Sequence, residues 1–226
     1  MSSIRVPLGF LPMIKSTRKK PRQARAQVTV DAILEATIQV LERQGLDAAT
    51  TTRIASVAGV SVGTLYQYFS DRDAIIDALQ DREFERTLAL VERILSDGNL
   101  TKTPREVVTA IVAGLAGLYA ACPALHRVLA IEGLRAGTTA RVRAFDMRVV
   151  DVVRHFLGAT GARIRRKRID AAAFVAFQSV RAVMLASLLE RPPGLDEQAL
   201  VEEVADLVLR YLVRIAPAPP RPSRSA

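Results

Sequence analysis

Hydroxyl, amide and small side chains are concentrated between residues 50 and 69, and their types suit contacts with a nucleic acid. If the end of this segment is helical, the side chains that face outward and can approach base edges are those of Ser61, Val62, Gly63, Thr64 and Gln67. Tyr66 and Tyr68 flank them, and Thr50 and Thr52 stand at a predicted helix start, so their hydroxyls can donate to phosphates. The segment therefore predicts a DNA-binding surface.

Two short helices must position these side chains. Thr50 is a suitable N-cap for the first helix, whose predicted buried face is Ile54, Val57 and Ala58. Gly59 then turns the chain, and Ser61 caps the second helix, which carries Leu65 and Phe69 inward. The arrangement is typical of a helix-turn-helix, which is too small to be stable without supporting helices on either side.

Helical periodicity runs through almost the whole chain and predicts an all-α fold of about nine helices. A three-helix N-terminal domain is expected to precede a helical ligand-binding and dimerisation domain. Helix one is expected over residues 27 to 44, ended by Gly45, and the fourth helix from a Ser70 cap to about Ser96. The fifth helix is expected to start at Thr103-Pro104-Arg105-Glu106, the sixth to cover 124 to 135, and the seventh to cover 139 to 157, with stops at Gly158 and Gly161. The eighth is expected to be capped by Asp170, with Ile169 and Phe174 as a hydrophobic staple, and the ninth by Asp196.

The pattern from Thr50 to Ile75 resembles that of the TetR family of one-component regulators, T-x-x-x-I-A-x-x-A-G-V-S-x-G-x-L-Y-x-Y/H-F-x-x-K/R-x-x-L/I. The resemblance covers residues 27 to about 80. It implies base contacts from Val62, Gly63, Thr64 and Gln67, and phosphate contacts from Thr50, Thr52, Tyr66, Tyr68 and Arg72. Arg72 stands where the family usually has lysine, and either cation can bind a phosphate. An alternative is that Tyr66 and Phe69 are both core aromatics, although Tyr66 and Tyr68 cannot both point inward.

The same resemblance implies a homodimer through the last two helices, a palindromic operator, and a cavity whose small-molecule effector releases DNA. Long apolar stripes on those two helices independently favour pairing of two subunits. The candidate cavity residues are Tyr119, Phe145, Phe174, Phe177, Gln178 and Arg181. Arg181 could hold an anionic effector or form an ion pair, and Gly114 and Gly117 fit either a cavity or close helix packing.

Net charge is concentrated at the ends of the chain. The sequence has 32 Lys+Arg and 23 Asp+Glu, and seven of the basic residues precede the first acidic one, Asp31. We expect a basic disordered arm at 1 to 26, a DNA-binding domain at 27 to 87, an effector-binding and dimerisation domain at 88 to 216, and a disordered tail at 217 to 226. The arm suits a polyanion, but a solvated tail without a partner explains its composition equally well.

Other classes of function find little support in the sequence. One cysteine, Cys122, and two histidines, His126 and His155, give no disulfide pair and no metal-ligand spacing, so we expect no cofactor or metal. Nucleophile-base pairs and phosphate-binding glycine loops are also missing, which argues against an enzyme. No signal peptide is recognised, and a cytoplasmic protein without a membrane span is expected, because the uncharged run from Val107 to Leu125 resembles a buried core helix.

Two further interpretations stay open. The basic run from Arg163 to Arg168 is expected to be a solvated loop, and a second nucleic-acid patch is its alternative. The rival to a regulator is a helical interaction module that uses the basic arm for nonspecific binding to nucleic acid or a membrane surface. Competition with unrelated duplex distinguishes a sequence-specific regulator from this module, because any DNA in excess displaces a labelled duplex from a polycation without sequence preference.

Overall fold

A computed structural model describes residues 21–96, 103–137, 139–160, 166–190 and 192–213, with the side chains of 21–23, 96, 136 and 160 left out of the description. These residues form nine α-helices, as the periodicity predicted. They are α1 (Pro21–Gln44), α2 (Thr51–Ala58), α3 (Val62–Tyr66), α4 (Arg72–Ser96), α5 (Pro104–Ala121), α6 (Pro123–Ala136), α7 (Ala140–Thr160), α8 (Ile169–Glu190) and α9 (Glu197–Leu212). The fold is all-α, with a helix-turn-helix near the N-terminus and a larger helical domain after it.

The first core lies under the helix-turn-helix. Ile33 and Leu41 of α1, Ile54 of α2, Leu65 of α3 and Leu79 of α4 are each at most 1% exposed and pack into one cluster. Leu125, Val128 and Leu129 of α6 complete the same cluster. The helix-turn-helix therefore shares its core with a helix that also belongs to the second domain.

Several predicted helix ends are present. The hydroxyl of Thr50 accepts a hydrogen bond from Arg53 N at 3.2 Å, and that of Ser61 accepts one from Thr64 N at 2.9 Å. Thr103 and Glu106 form the reciprocal capping box, and Asp196 Oδ1 accepts from Ala199 N at 2.8 Å. These caps satisfy backbone donors that the first turn leaves free, so each helix starts where a suitable side chain stands.

Four predicted boundaries are wrong. α1 starts at Pro21 rather than 27, because proline suits a first helical position where no N–H bond is required; residues 21 to 26 are thus helical instead of disordered. α4 is capped by Asp71, whose Oδ1 accepts from Ala74 N at 2.8 Å, and not by Ser70, whose hydroxyl donates to Asp71. This backbone hydrogen bond is the main cause that lowers the pKa of Asp71.

The other two errors concern α7 and α8. α7 continues through Gly158 to Thr160, because burial of Leu157 at 3% exposed offsets the modest helix penalty of the glycine. α8 starts at Ile169, so Asp170 lies inside its first turn, where a carboxylate interacts well with the helix dipole, and does not cap it. The predicted hydrophobic staple between Ile169 and Phe174 is also wrong, since Phe174 is 54% exposed.

The second domain is built around α5. Its residues Val112 and Leu115 pack with Met184 of α8 and Val204 of α9, and a neighbouring cluster joins Leu157 of α7 to α8 and α9. The uncharged run from Val107 to Leu125 is divided at Cys122 between α5 and α6, which meet at 101°, close to the start at 124 that was expected for the sixth helix. The bend directs α6 back towards the first core.

α8 is unusually apolar for a helix with so much accessible surface. It is 22 residues long with a mean hydropathy of 1.7, and only 22% of its most apolar window is buried in the monomer. By length and composition it is the one single helix among the described residues that could cross a membrane. Its exposed face is apolar, with Phe174 at 54% and Val175 at 39% exposed.

Candidate nucleic-acid interface and internal cavity

The inner face of the helix-turn-helix holds α3 in place. Ile54 and Ala55 of α2 and Leu65 of α3 are fully buried, and Phe69 is 8% exposed. The predicted inward position of Val57 is wrong, because Val57 is 36% exposed and Ala55 occupies that side of the helix; Ala58 is half-buried. Gly59 adopts φ +70°, the left-handed conformation that the tight turn between α2 and α3 requires.

The outer face of α3 carries most of the predicted base-reading residues. Ser61, Gly63 and Gln67 are exposed, whereas Val62 and Thr64 are half-buried at the edges of the face. A Cβ added at Gly63 would meet only Ser61 Oγ at 3.8 Å, so the protein itself leaves that space open. A bare backbone on an exposed helix face allows close approach of another molecule.

The candidate phosphate-binding hydroxyls flank this face. Tyr66 is 51% and Tyr68 37% exposed, which excludes the alternative that Tyr66 is a core aromatic. Thr50 and Thr52 are exposed at the start of α2. Arg72 at the start of α4 is also exposed, and its ion pair within the described part of the chain is a 3.4 Å surface contact with Asp73. All five of these side chains are exposed to solvent.

Sequence reasoning missed two residues of this surface. Thr51 Oγ1 lies 3.2 Å from Tyr66 Oη, so the tyrosine is oriented by the residue between the two predicted threonines. Arg53 is exposed and donates to Gln44 Oε1 at 3.2 Å, which holds a cation beside the start of α2. The positive charge of Arg53 in a segment predicted to be polar could have indicated that it belongs to this surface.

A cavity of about 350 Å³ lies inside the second domain, bordered by α4 to α9. Its wall is mainly aliphatic and aromatic, as is usual for small-molecule sites. Four of the six predicted residues, Tyr119, Phe145, Phe177 and Arg181, lie in this wall. Phe174 does not, because it is on the opposite, exposed side of α8. Gln178 also lies outside the wall and donates to Asp146 Oδ2 at 3.3 Å.

Arg181 both borders the cavity and forms an ion pair. Its NH1 donates to Asp146 Oδ2 at 2.8 Å, across the seam between α8 and α7. Asp146 is only 15% exposed at its side chain, and Oδ1 has no hydrogen-bond partner among the described residues. The positive charge of Arg181 is thus already neutralised by a neighbouring carboxylate.

The polar end of the cavity was missed from the sequence. Glu83 of α4 is 6% exposed, and its carboxylate lies 2.9 Å from Arg86 NH1, 3.8 Å from Arg82 Nε and 3.8 Å from His126 Nε2. Burial lowers the pKa of His126, so the imidazole is neutral at neutral pH. The position of Glu83 four residues after buried Leu79 was a signal that it faces inward.

Aromatic rings form one side of the cavity. Phe84 and Phe145 stack with centroids 4.1 Å apart, and Phe177 meets Phe145 edge-on at 6.4 Å. Tyr119 lies over His126 at 4.7 Å, and burial raises the pKa of its phenol against the opposing effect of Arg181. These contacts fix the rings before any ligand enters.

Two remaining expectations are settled by packing. A Cβ at Gly114 would come within 2.9 Å of Leu90, so this glycine allows close contact of α5 with α4, while Gly117 has open space beside it. Arg166 is not a freely solvated residue of the basic run: it donates to the Tyr211 carbonyl at 2.8 Å and stacks on that ring. Residues 161 to 165, the basic arm up to 20 and the tail beyond 213 lie outside the described residues.

α6 connects the cavity to the helix-turn-helix. Its first turn is held by α1, because Leu125 N donates to Glu42 Oε1 at 2.9 Å. His126 and Ala130 of the same helix line the cavity, while Leu125 and Val128 lie in the first core. α6 therefore contributes both to the cavity wall and to the core that supports α2 and α3.

Comparisons with known protein families agree with this architecture. Residues 33–79 match the family model described as bacterial regulatory proteins, tetR family, and residues 103–212 match that of the tetracyclin repressor-like C-terminal domain. The first model covers the helix-turn-helix, and the second covers the residues of the cavity wall from Val107 onward. Among the described residues, no group of three or more His, Cys, Asp or Glu side chains could hold a metal ion.

Among curated proteins, the chain is 40% identical over 58 residues to the uncharacterized HTH-type transcriptional regulator YvdT of Bacillus subtilis. That match covers 26% of this chain and 30% of YvdT. The chain thus spans about a third of the length of the first curated relatives it matches.

Solved structures share the fold over most of the chain. The FadR transcriptional regulator of Bacillus subtilis, in complex with stearoyl-CoA, has a TM-score of 0.63 at 20% identity and covers 79% of this chain and 96% of its own. The FadR repressor of Thermus thermophilus, in complex with lauroyl-CoA, has a TM-score of 0.60 at 24% identity, with coverage of 84% and 98%. At these identities the likeness establishes the fold alone.

Proposed function

The chain belongs to the TetR family of bacterial regulatory proteins, and from this premise we propose that it is a transcriptional regulator that binds operator DNA as a homodimer and releases it when a small molecule fills the cavity. The observation that carries the proposal is the presentation of α3. Leu65 anchors that helix at 0% exposed while Tyr66, the next residue, is 51% exposed. A helix held from one side with small and polar residues on the other suits a major groove.

The proposed contacts divide into two kinds. Val62, Gly63, Thr64 and Gln67, with Ser61 at the helix start, face base edges, where hydrogen bonds and apolar contacts carry sequence information. Thr50, Thr52, Tyr66, Tyr68 and Arg72 bind phosphates on either side and fix the register of α3 in the groove. To these we add Thr51 and Arg53, which orient Tyr66 and place a cation beside α2.

We propose that α8 and α9 form the dimer interface across a twofold axis. Support comes from the apolar side chains that one subunit leaves exposed there: Phe174 at 54%, Val175 at 39% and Leu207 at 50%. A second copy covers this face and places two α3 helices about 34–36 Å apart, the spacing of successive major grooves. Phe174→Glu is expected to give monomers in analytical ultracentrifugation, whereas Met147→Glu, at an equally exposed position on α7, leaves the dimer intact.

Effector binding is proposed to shift the dimer towards a spacing that no longer fits DNA. α4 and α6 support this because each reaches from the cavity into the first core. A coupling free energy of about 1–3 kcal/mol would weaken operator binding about 5–150-fold. Repression in the cytoplasm is the proposed physiological result.

Selection of bound duplexes from random DNA tests this function. The proposal predicts an enriched palindrome with half-sites about 10–10.5 base pairs apart or a multiple of that spacing, since the twofold axis of the protein is reflected in its operator. Retention of unrelated duplex with no enriched sequence would instead support the nonspecific interaction module. Excess competitor duplex provides the control, because specific binding survives it.

A further inference from the structure

The charged groups in the cavity wall are already compensated. Arg181 is held by Asp146 at 2.8 Å, and Glu83 lies between Arg86 at 2.9 Å and Arg82 at 3.8 Å. Both carboxylates are largely buried, at 15% and 7% side-chain exposure. A charged ligand group placed deep in the cavity must therefore displace a buried partner or stay unpaired.

Either outcome opposes binding of an ion. Removing one partner of a buried pair leaves an uncompensated charge, and an unpaired charge in apolar surroundings is strongly disfavoured. The rest of the wall cannot solvate a charge, because it consists mainly of side chains such as Val108, Ile111, Val149 and Val180. The electrostatics thus favour a neutral occupant.

One end of the cavity nevertheless has unused hydrogen-bonding capacity. His126 Nε2 and Glu83 Oε2 are 3.8 Å apart, too far for a hydrogen bond between them. The imidazole is neutral because burial lowers its pKa, and Gln80 borders the cavity nearby on α4. A hydroxyl or amide group placed there can donate to the carboxylate without adding net charge.

The shape of the rest of the cavity limits the body of the ligand. Most of its wall is apolar: most of the lining side chains are aliphatic, and five are phenylalanine or tyrosine, Phe84, Tyr119, Phe145, Phe156 and Phe177. Its volume of about 350 Å³ is near the lower end for small-molecule sites. A compact apolar body fits this space.

We propose that the effector is an uncharged, largely apolar molecule with one hydroxyl or amide group, bound with that group between Glu83 and His126. The inference rests on the proposed function, in which the cavity holds an effector. It distinguishes this chain from a receptor that recognises a carboxylate or phosphate through Arg181.

Calorimetric titration of the full chain with three ten-carbon probes tests the inference. Decan-1-ol, decanoate and decylammonium carry a neutral hydroxyl, an anionic carboxylate and a cationic ammonium head group on a hydrocarbon chain of nearly the same length, and lauroyl-CoA is added as an anionic thioester. At neutral pH we expect decan-1-ol to bind at least about tenfold more tightly than either ion or the thioester. Equal or tighter binding of decanoate, decylammonium or lauroyl-CoA would overturn the inference.

The variant Asp146→Asn sharpens the test because it removes the partner of Arg181 with little change in shape. It is expected to raise the affinity for decanoate at least about tenfold while the affinity for decan-1-ol changes less than about threefold. Asp151→Asn on the same helix is the matched control, since Asp151 pairs with Arg154 at the surface and should change neither affinity. Thermal unfolding of both variants shows whether each is folded, and if Asp146→Asn is not, the wild-type ranking decides alone.

DNA binding measured on the same preparations separates this inference from the proposed function. If the protein binds a selected palindrome but prefers an ion, or takes none of the probes, the ligand class is wrong and the regulator stands. If decan-1-ol binds and no duplex is selected, the ligand class is supported and the regulator is wrong.

Discussion

The outer face of α3 and the cavity are two binding regions built in opposite ways. The α3 face is made by residues adjacent in sequence, from Ser61 to Tyr68, and its shape is set by two caps and one buried leucine. The cavity is made by residues spread over six helices, such as Glu83, Tyr119 and Arg181, which meet only when the second domain packs. A short segment can therefore define the DNA reader, whereas the ligand site depends on the whole domain.

The difference implies separate sensitivities to mutation, and the largest effect is expected at the anchor of α3. Leu65→Ala removes a fully buried side chain, so the free energy of unfolding should fall by about 2–5 kcal/mol, and specific DNA binding should be lost with it. Urea unfolding measures the change. Leu134→Ala, at a position 62% exposed, is the control and should alter stability by less than about 0.5 kcal/mol.

The connection between the two regions is tested next, at Glu42. Glu42→Leu removes the acceptor of Leu125 N at the start of α6. The free energy of unfolding should fall by about 0.5–2 kcal/mol, as it does when an N-cap side chain is removed. We expect operator affinity without effector to change little and the loss of affinity caused by effector to shrink. Glu42→Gln keeps an acceptor oxygen and should behave like wild type; equal coupling in all three proteins would show that this contact does not connect the regions.

A smaller effect is expected for the hydroxyl of Tyr66. Tyr66→Phe should weaken operator binding by about 0.5–1.5 kcal/mol, the usual net contribution of one hydrogen bond, because a phosphate contact is lost. Stability should be nearly unchanged, since among the described residues the hydroxyl has a single hydrogen-bond partner, the hydroxyl of Thr51 at the surface. Fluorescence anisotropy with labelled duplex measures the affinity, and binding of effector probes to the cavity should be unaffected. Unchanged affinity for DNA would remove Tyr66 from the interface.

The smallest effect separates stability from recognition at Gly63. Gly63→Ala should stabilise the protein by about 0.5–1 kcal/mol, because alanine is the better helix former and its Cβ meets open space. If the backbone of α3 approaches a base, the same methyl group should reduce operator affinity. Gly117→Ala, also with open space at its Cβ but on α5, should leave DNA binding alone. An increase in operator affinity for Gly63→Ala would contradict a close approach.

The sequence predicts the helices and their caps better than it predicts the cavity, because the former depend on neighbouring residues and the latter on tertiary packing. Helices and most caps are local, so Thr50, Ser61, Thr103 and Asp196 were identified from their neighbours in sequence. The start of α4 was missed by one residue because the Asp71 carboxylate, a stronger acceptor than the Ser70 hydroxyl, captures Ala74 N.

The cavity was harder to predict because orientation around a long helix depends on tertiary packing. Phe174 and Phe177 are both aromatic and both on α8, yet only Phe177 faces the cavity, and the low amphipathicity of α8 gives no basis for choosing. Glu83 and His126 come from helices far apart in sequence and meet only through the bend between α5 and α6. Periodicity cannot indicate such a pair.

Hydrogen exchange of the full chain with and without its selected duplex tests whether α3 reads DNA. We expect strong protection of the backbone from Thr51 to Phe69 when DNA is bound, and little change over the cavity wall on α7. Protection confined to the helices after α4, or no protection of α3 at saturating duplex, would contradict the claim that this helix reads DNA.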